Sequence, residues 1–410
     1  MPATDNQSSF LNRISIRRNQ VSSMEHDQEN ENIELFSKHV VDYFADLLPS
    51  HTSSTTNADP SSTSLESPAP DLHPDLLSIC WFQNLLDIFL CCEAEFKAAV
   101  VMGRDPLHFG KPPLDRLIPE LLDRAVKALD VCNAVSSGLD LTRQWQKLAQ
   151  IAVSSLEQKP IGEGQVRRAR KALNNLLTSM MLDDRDGNYH GKGTDRSWSF
   201  GRRGGGGASK NDRTGGSFRP LSCSVAKSWS AAKQVQAMSS NLVAPKAAEQ
   251  TGLASPVYIM STVMVFVMWS LVAAIPCQER TGLQTHLNVP RQLEWAKPIT
   301  VLQEKIGEEW KKKEKRGAAG VLDEIKKMEK LAKSLVEFAD SFNFPLEEEK
   351  VVEVAEMVAE LAEVCQKMEE GLPALQLQVR EVFHRIVRSR SEILDVVDQN
   401  GKASLPPVLY

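Results

Sequence analysis

The stretch from Val257 to Ile275 constrains this chain more than any other: nineteen consecutive residues carry no charge, and Pro256 and Pro276 bound them. At about 1.5 Å per residue, a helix of that length comes close to crossing a hydrocarbon core of about 30 Å. The same segment suits the centre of a soluble bundle, where a helix that is apolar all round needs amphipathic neighbours on every side. Nearby charges do not decide between the two. Lys246 lies upstream, Arg280 and Arg291 downstream, and the denser basic stretch before the segment is only a weak cytoplasmic-side cue. A spanning helix would put the halves of the chain on opposite sides of a membrane, whereas a core helix would let them share one interior.

The flanking sequence supplies helices that could surround such a core. Ile33, Phe36, Val40, Tyr43 or Phe44 and Leu47 recur at three- and four-residue steps and predict an amphipathic helix over 29–48. In 75–101 apolar residues are so dense that a helix there is expected at a bundle centre, with Cys91 and Cys92 buried. Pro112 and Pro113 can open a helix whose stripe runs through Leu114, Leu117, Leu121 and Leu129, and the period continues at Leu141, Trp145, Leu148 and Ala152. After a break at Pro160 to Gly164, the period resumes with Val166, Ala169, Leu173, Leu176 and Met180. In the charged C-terminal part, Gly317 and Gly320 are expected to divide 302–338 into two helices. Val351, Val354, Val358, Leu361, Cys365, Met368 and Leu372 then form a heptad seam, read as packing within a bundle rather than an intermolecular coiled coil. A last helix through Leu375, Val379, Val382 and Ile386 is expected to end at Asn400-Gly401, with Gly401 suited to a left-handed cap.

No alternating Val/Ile/Thr pattern bounded by turns appears, so the expected fold is all-α: a multi-helix bundle with disordered linkers and a strongly apolar central helix. The expected organisation is a basic N-terminal arm (1–28), an amphipathic helix (29–48), a Ser/Thr/Pro linker (49–72) and an N-terminal helical bundle (73–182). A Gly/Arg-rich flexible linker (183–221) follows, then the apolar helix with charged C-terminal helices packing on the bundle (222–400), and a tail (401–410). The second linker holds all ten glycines found in 187–216, out of 22 in the chain. Such compositions bury too little apolar surface to offset the entropy of ordering.

The function classes narrow by chemistry. The 410 residues carry 48 Lys and Arg against 53 Asp and Glu, a net charge of −5, which excludes a chain that is polycationic as a whole. Within 187–246, ten cations face only Asp195 and Asp212, and Arg202-Arg203-Gly204-Gly205 near Trp198 and Phe200 resembles a single RGG-like unit. One copy reads as a solvated linker, so no nucleic-acid partner is expected. Seven cysteines without a C-x-x-C pair make a zinc site or disulfide framework improbable. The polar start with Pro2 offers neither a secretory signal nor a myristoylation site, pointing to a cytoplasmic protein. Gly162 and Gly164 lack the third glycine and the preceding strand of a dinucleotide site. The eight histidines are solitary, and Glu347, Glu348 and Glu349 favour a helix N-terminus through its dipole. No catalytic, cofactor-binding or metal-ligating residue is therefore assigned, no cofactor is implied, and no small-molecule substrate is expected.

Five strings resemble the plant BYPASS-related family, more closely its ROH branch. They are Ile14-Ser15-Ile16-Arg17-Arg18-Asn19-Gln20-Val21, Met102-Gly103-Arg104-Asp105-Pro106, Lys111-Pro112-Pro113-Leu114-Asp115-Arg116-Leu117-Ile118-Pro119-Glu120-Leu121-Leu122-Asp123-Arg124, Val265-Phe266-Val267-Met268-Trp269 and Val379-Arg380-Glu381-Val382-Phe383-His384-Arg385-Ile386-Val387. The resemblance implies a plant protein without known enzymatic activity. For the ROH branch it implies binding to a subunit of the exocyst, and hence a helical adaptor in vesicle secretion. For the BYPASS branch it implies control of a root-derived mobile signal, and the alternative reading is a single-pass membrane protein in such developmental signalling. The resemblance runs through both halves of the chain, which favours one shared core, with 257–275 inside it and any membrane contact peripheral.

Overall fold

The computed structural model describes residues 30–49, 75–100, 108–182, 230–245, 252–277, most of 282–314, 320–342 and 348–403. Among them are nine α-helices and no strand: α1 (30–45), α2 (Ile79–Val100), α3 (Leu114–Leu156), α4 (Glu163–Leu182), α5 (Ala231–Ser240), α6 (Ala254–Ala274), α7 (Lys297–Glu314), α8 (Asp323–Asp340) and α9 (Glu348–Ala403). The expected arm 1–28 and the linker 183–221 lie outside the described residues, as does the 49–72 linker from residue 50 on, together with the Arg202-Arg203-Gly204-Gly205 unit.

The apolar segment becomes α6, and helices enclose it. Every residue from Pro256 to Ala274 is buried. Two polar side chains on α6 bond back to its own backbone: Thr262 Oγ1 donates to Tyr258 O at 2.9 Å and Ser270 Oγ donates to Phe266 O at 2.9 Å. The Trp269 indole N–H donates to Gln284 O at 2.6 Å. Around α6 stand α2, α3, α5 and α7, and Phe44 of α1 meets Phe266 edge to face at 5.7 Å between ring centroids. At one point the approach to α3 is close enough to require glycine, since a Cβ on Gly138 would lie 2.1 Å from Pro276 O.

The long helices α3 and α9 form the outer frame, lying along each other, while α9 also packs on α2 and α8 and α4 fills the space between α3 and α8. The heptad seam of α9 faces inward from Val354 through Leu361, Cys365, Met368 and Leu372, and the buried stripe continues through Leu375, Val379, Val382 and Ile386. Gly371 lets α9 touch α2, because a Cβ there would meet Ile79 Cγ2 at 2.7 Å.

Three sequence expectations change. The two C-terminal helices are one: α9 runs through Pro373 and past Gly401 to Ala403. Proline removes one backbone hydrogen bond, but the buried residues on both sides, Leu372 and Leu375, hold that helix against its neighbours. Gly401 adopts helical angles as readily as the left-handed ones of a cap. Second, α2 is not apolar on every face. Cys80, Asn84, Asp87, Cys91, Ala94 and Ala98 form an exposed stripe, so the bundle centre is α6 instead. Third, of the adjacent thiols only Cys92 is buried, while Cys91 lies on that exposed stripe.

Candidate functional site

Two buried charged side chains, Glu324 and Arg124, tie helix ends together. Glu324, in the first turn of α8, accepts the backbone N–H of Ile79 with both carboxylate oxygens, at 3.0 and 3.2 Å, and so caps α2 from 245 residues away. Burial pushes this carboxyl above its usual range, and the Ile79 N–H partly offsets that shift. Next to it, Asp323 N donates to Leu77 O at 2.9 Å, at a residue held in left-handed backbone (φ 69°). Val321 N and Leu322 N donate to Ala273 O and Ala274 O, at 3.1 and 3.2 Å, satisfying the last carbonyls of α6. The segment 321–324 therefore closes the start of α2 and the end of α6 at once.

Arg124 on α3 performs the same task for α5. Its Nε donates to Met238 O at 3.2 Å and its Nη2 bonds Asn241 O, both carbonyls at the C-terminal end of the short helix. Burial lowers the guanidinium pKa, and Glu120, 3.4 Å away, opposes the shift. Glu93 on α2 is only 3% exposed, and its Oε2 accepts from Arg385 Nη1 of α9 at 3.2 Å, an ion pair that fixes two packed helices.

Two open features remain. Between α1 and α2, Tyr43 OH donates to Glu95 Oε1 at 2.6 Å, and His39 Nδ1 lies 3.0 Å from Glu95 Oε2. That hydrogen bond raises the Tyr43 phenol pKa well above its ordinary value, which makes it a poor proton donor at neutral pH. Across α3, α4 and α9, Lys147, Gln150, Ile151, Ser154, Arg168 and Glu369 line an open groove of about 480 Å³. Arg168 and Lys147 have no ion-pair partner among the described residues, and Ile151 is 42% exposed between them.

Little here is arranged for bond-making. Desolvation pushes the Cys132 and Cys365 thiols up to about 12 and the Cys92 thiol higher still, so all three stay protonated and weakly nucleophilic at neutral pH. Among the described residues no group of three His, Cys, Asp or Glu side chains is placed to hold a metal ion. Gly162 and Gly164 flank the start of α4 and follow a helix, and Gly162 O accepts Val166 N as an ordinary first-turn bond. His39 meets Glu95, while His286 lies 3.2 Å from Lys311 Nζ and His384 stacks edge-on with Phe383. Sequence reasoning missed the capping pair Glu324–Ile79 and the Arg124 staple, because no local pattern connects residues so far apart.

The fold and its polar contacts define an all-α bundle in which two very long helices frame an enclosed apolar one. The chain belongs to the ROH1-like family, whose model, described as Protein ROH1-like, matches residues 1–397. Protein ROH1A of Arabidopsis thaliana is 52% identical over 99% of this chain and 100% of its own length. Protein ROH1D of the same plant is 44% identical over 80% of this chain and 83% of its own length. No solved structure matches.

Proposed function

We propose that this protein is a non-enzymatic helical adaptor that binds an exocyst subunit and so modulates vesicle secretion in a plant cell. The observation that carries the reading is family membership along nearly the whole chain, in the branch for which that partner is expected. The geometry supports it: the buried Glu324 and Arg124 serve helix ends, and the thiols with shifted pKa values are the unreactive kind. The groove across α3, α4 and α9 is the surface on which such a partner would sit, because two unpaired cations flank an exposed isoleucine there. Co-precipitation of exocyst subunits from plant extract with the purified chain tests this. Capture of one subunit, lost with Arg168→Glu and Ile151→Asp, is the expected result. Capture of none by the wild-type chain would sink the adaptor reading.

A second reading, a single-pass protein in developmental signalling, draws on the length and apolarity of α6, which has a mean hydropathy of 2.0 over its best window. The burial of that whole window argues for the core role, with a cytoplasmic protein touching membrane only peripherally. Carbonate extraction separates the two readings, because a spanning chain stays in the membrane pellet and a peripheral one is released.

A further inference from the structure

The outer face of α9 carries a charge pattern that its inner packing does not use. Glu360, Lys367, Ala374, Glu381 and Arg388 follow one another at seven-residue intervals, and all five are exposed. Seven residues return a helix nearly to the same face, so the five form one ridge with Ala374 at its midpoint. Turned end for end about Ala374, the ridge falls on its own complement: Glu360 meets Arg388, Lys367 meets Glu381, and Ala374 meets itself. The midpoint also bears the most exposed large apolar side chain among the described residues, Leu377 at 68%, next to exposed Pro373 and the small Ala374. The helix on either side of the midpoint repeats the polarity. Seven exposed glutamates from Glu349 to Glu370 stand against Lys350 and Lys367, whereas between Leu377 and Arg390 come Arg380, Arg385, Arg388 and Arg390 against Glu381.

We propose that α9 pairs antiparallel with α9 of a second copy of this chain, through the ridge Glu360, Lys367, Ala374, Glu381 and Arg388. The pairing is isologous, so each contact occurs twice about the two-fold axis. Glu360 and Arg388 have no ion-pair partner among the described residues and carry the register. Lys367 and Glu381 are already engaged within the helix, with Glu363 at 2.7 Å and Arg385 at 3.5 Å, and add less. One heptad farther out in the same series, Glu353 and Asp395 would face each other with like charge, which limits the complementary stretch to 360–388. A single helix pair with one apolar centre buries little area, so the dimer is weak and salt-sensitive, with a dissociation constant of about 10 to 100 μM.

Sedimentation of the full-length chain tests this at low and high salt. The wild type is expected to dimerise at low ionic strength and to dissociate as salt is added. Glu360→Arg alone, or Arg388→Glu alone, places like charges at two symmetry-related contacts and is expected to weaken association about tenfold or more. The double variant Glu360→Arg/Arg388→Glu restores it. Mixing the two single variants gives a heterodimer, because each then presents the complement of the other. Both substituted residues are exposed, and unchanged circular dichroism shows that folding is intact. A wild type that stays monomeric at about 100 μM in low salt, single variants that associate like wild type, or a mixture no tighter than its components would each overturn the proposal. So would a ridge that affects only the capture of another protein. A wild type that captures an exocyst subunit yet stays monomeric refutes this pairing alone and leaves the adaptor reading standing.

Discussion

Helices α6 and α9 are both long, yet they hold the molecule together in opposite ways. In α6 no face is distinguished: its 21 residues are uncharged and mostly apolar with nothing to orient them, and it is stable only because other helices cover every side. In α9, 56 residues long, one stripe is buried and the remainder is largely charged, so it can cover a neighbour while facing water. An all-apolar helix has no preferred orientation of its own, and its position is set by close approaches such as Gly138 against Pro276. An amphipathic helix carries its own orientation in its periodicity.

The contrast can be broken most severely at the middle of α6. Val265→Asp puts a carboxylate at a fully buried position with no partner, which costs several kcal/mol and is expected to leave the protein aggregated or unfolded. Solubility and thermal melting of the purified chain check this. A variant that stays folded and merely leaves the membrane fraction would instead support a spanning α6. Gly138→Ala tests how α6 is positioned: its Cβ would collide with the backbone at Pro276 O, so a loss of about 1–3 kcal/mol is expected in a urea titration.

A smaller effect is expected where α8 caps α2. Glu324→Ala leaves the Ile79 N–H unsatisfied and should cost about 1–3 kcal/mol, whereas Glu324→Gln keeps an acceptor and should cost less. The pH dependence has a definite sign. Because burial raises this carboxyl in the folded state, its contribution is fully present below the unfolded value of about 4.3 and is lost as pH rises through the raised folded value. The difference in stability between wild type and Glu324→Gln should therefore shift in favour of Gln as pH climbs from 4 towards neutrality. The least effect belongs to the outer face of α9, where Glu356→Ala should change stability by no more than about 0.5 kcal/mol. A larger loss there would mean that the charged face is packed, and the contrast between the two helices would fail.

How much of this was readable in advance depended on periodicity. The all-α class, the faces of α1, α3, α4 and α9, the break between α3 and α4 and the division at Gly317 and Gly320 follow from spacing alone, because amphipathic helices encode their buried side locally. The choice between Tyr43 and Phe44 on α1 needed the structure: Phe44 is buried against Phe266, while Tyr43 sits partly exposed beside Glu95. Continuity of α9 through Pro373 was hidden because proline's local penalty is plain in sequence and the packing that outweighs it is not. The exposed stripe on α2 was obscured by the apolar density of its buried faces and by thiols, which sequence reading counts as apolar. The long-range caps were beyond reach, since nothing near Ile79 points to Glu324. The open groove across α3, α4 and α9 was equally invisible, because it joins three segments that no spacing rule relates.

The link from 321–324 back to α2 and α6 bears on how the chain is made. A nascent polypeptide that has emerged only as far as α6 holds an all-apolar helix whose last carbonyls await Val321 and Leu322, and an α2 whose start awaits Glu324. Neither end can close until well over three hundred residues have been synthesised, and α9, which covers α2 and α3, comes later still. Contacts so distant in sequence form late, and the half-made chain exposes its most apolar surface meanwhile. Synthesis of this protein therefore passes through a long aggregation-prone interval that ends only when its C-terminal helices are released, and truncation anywhere before residue 320 leaves that interval without an end.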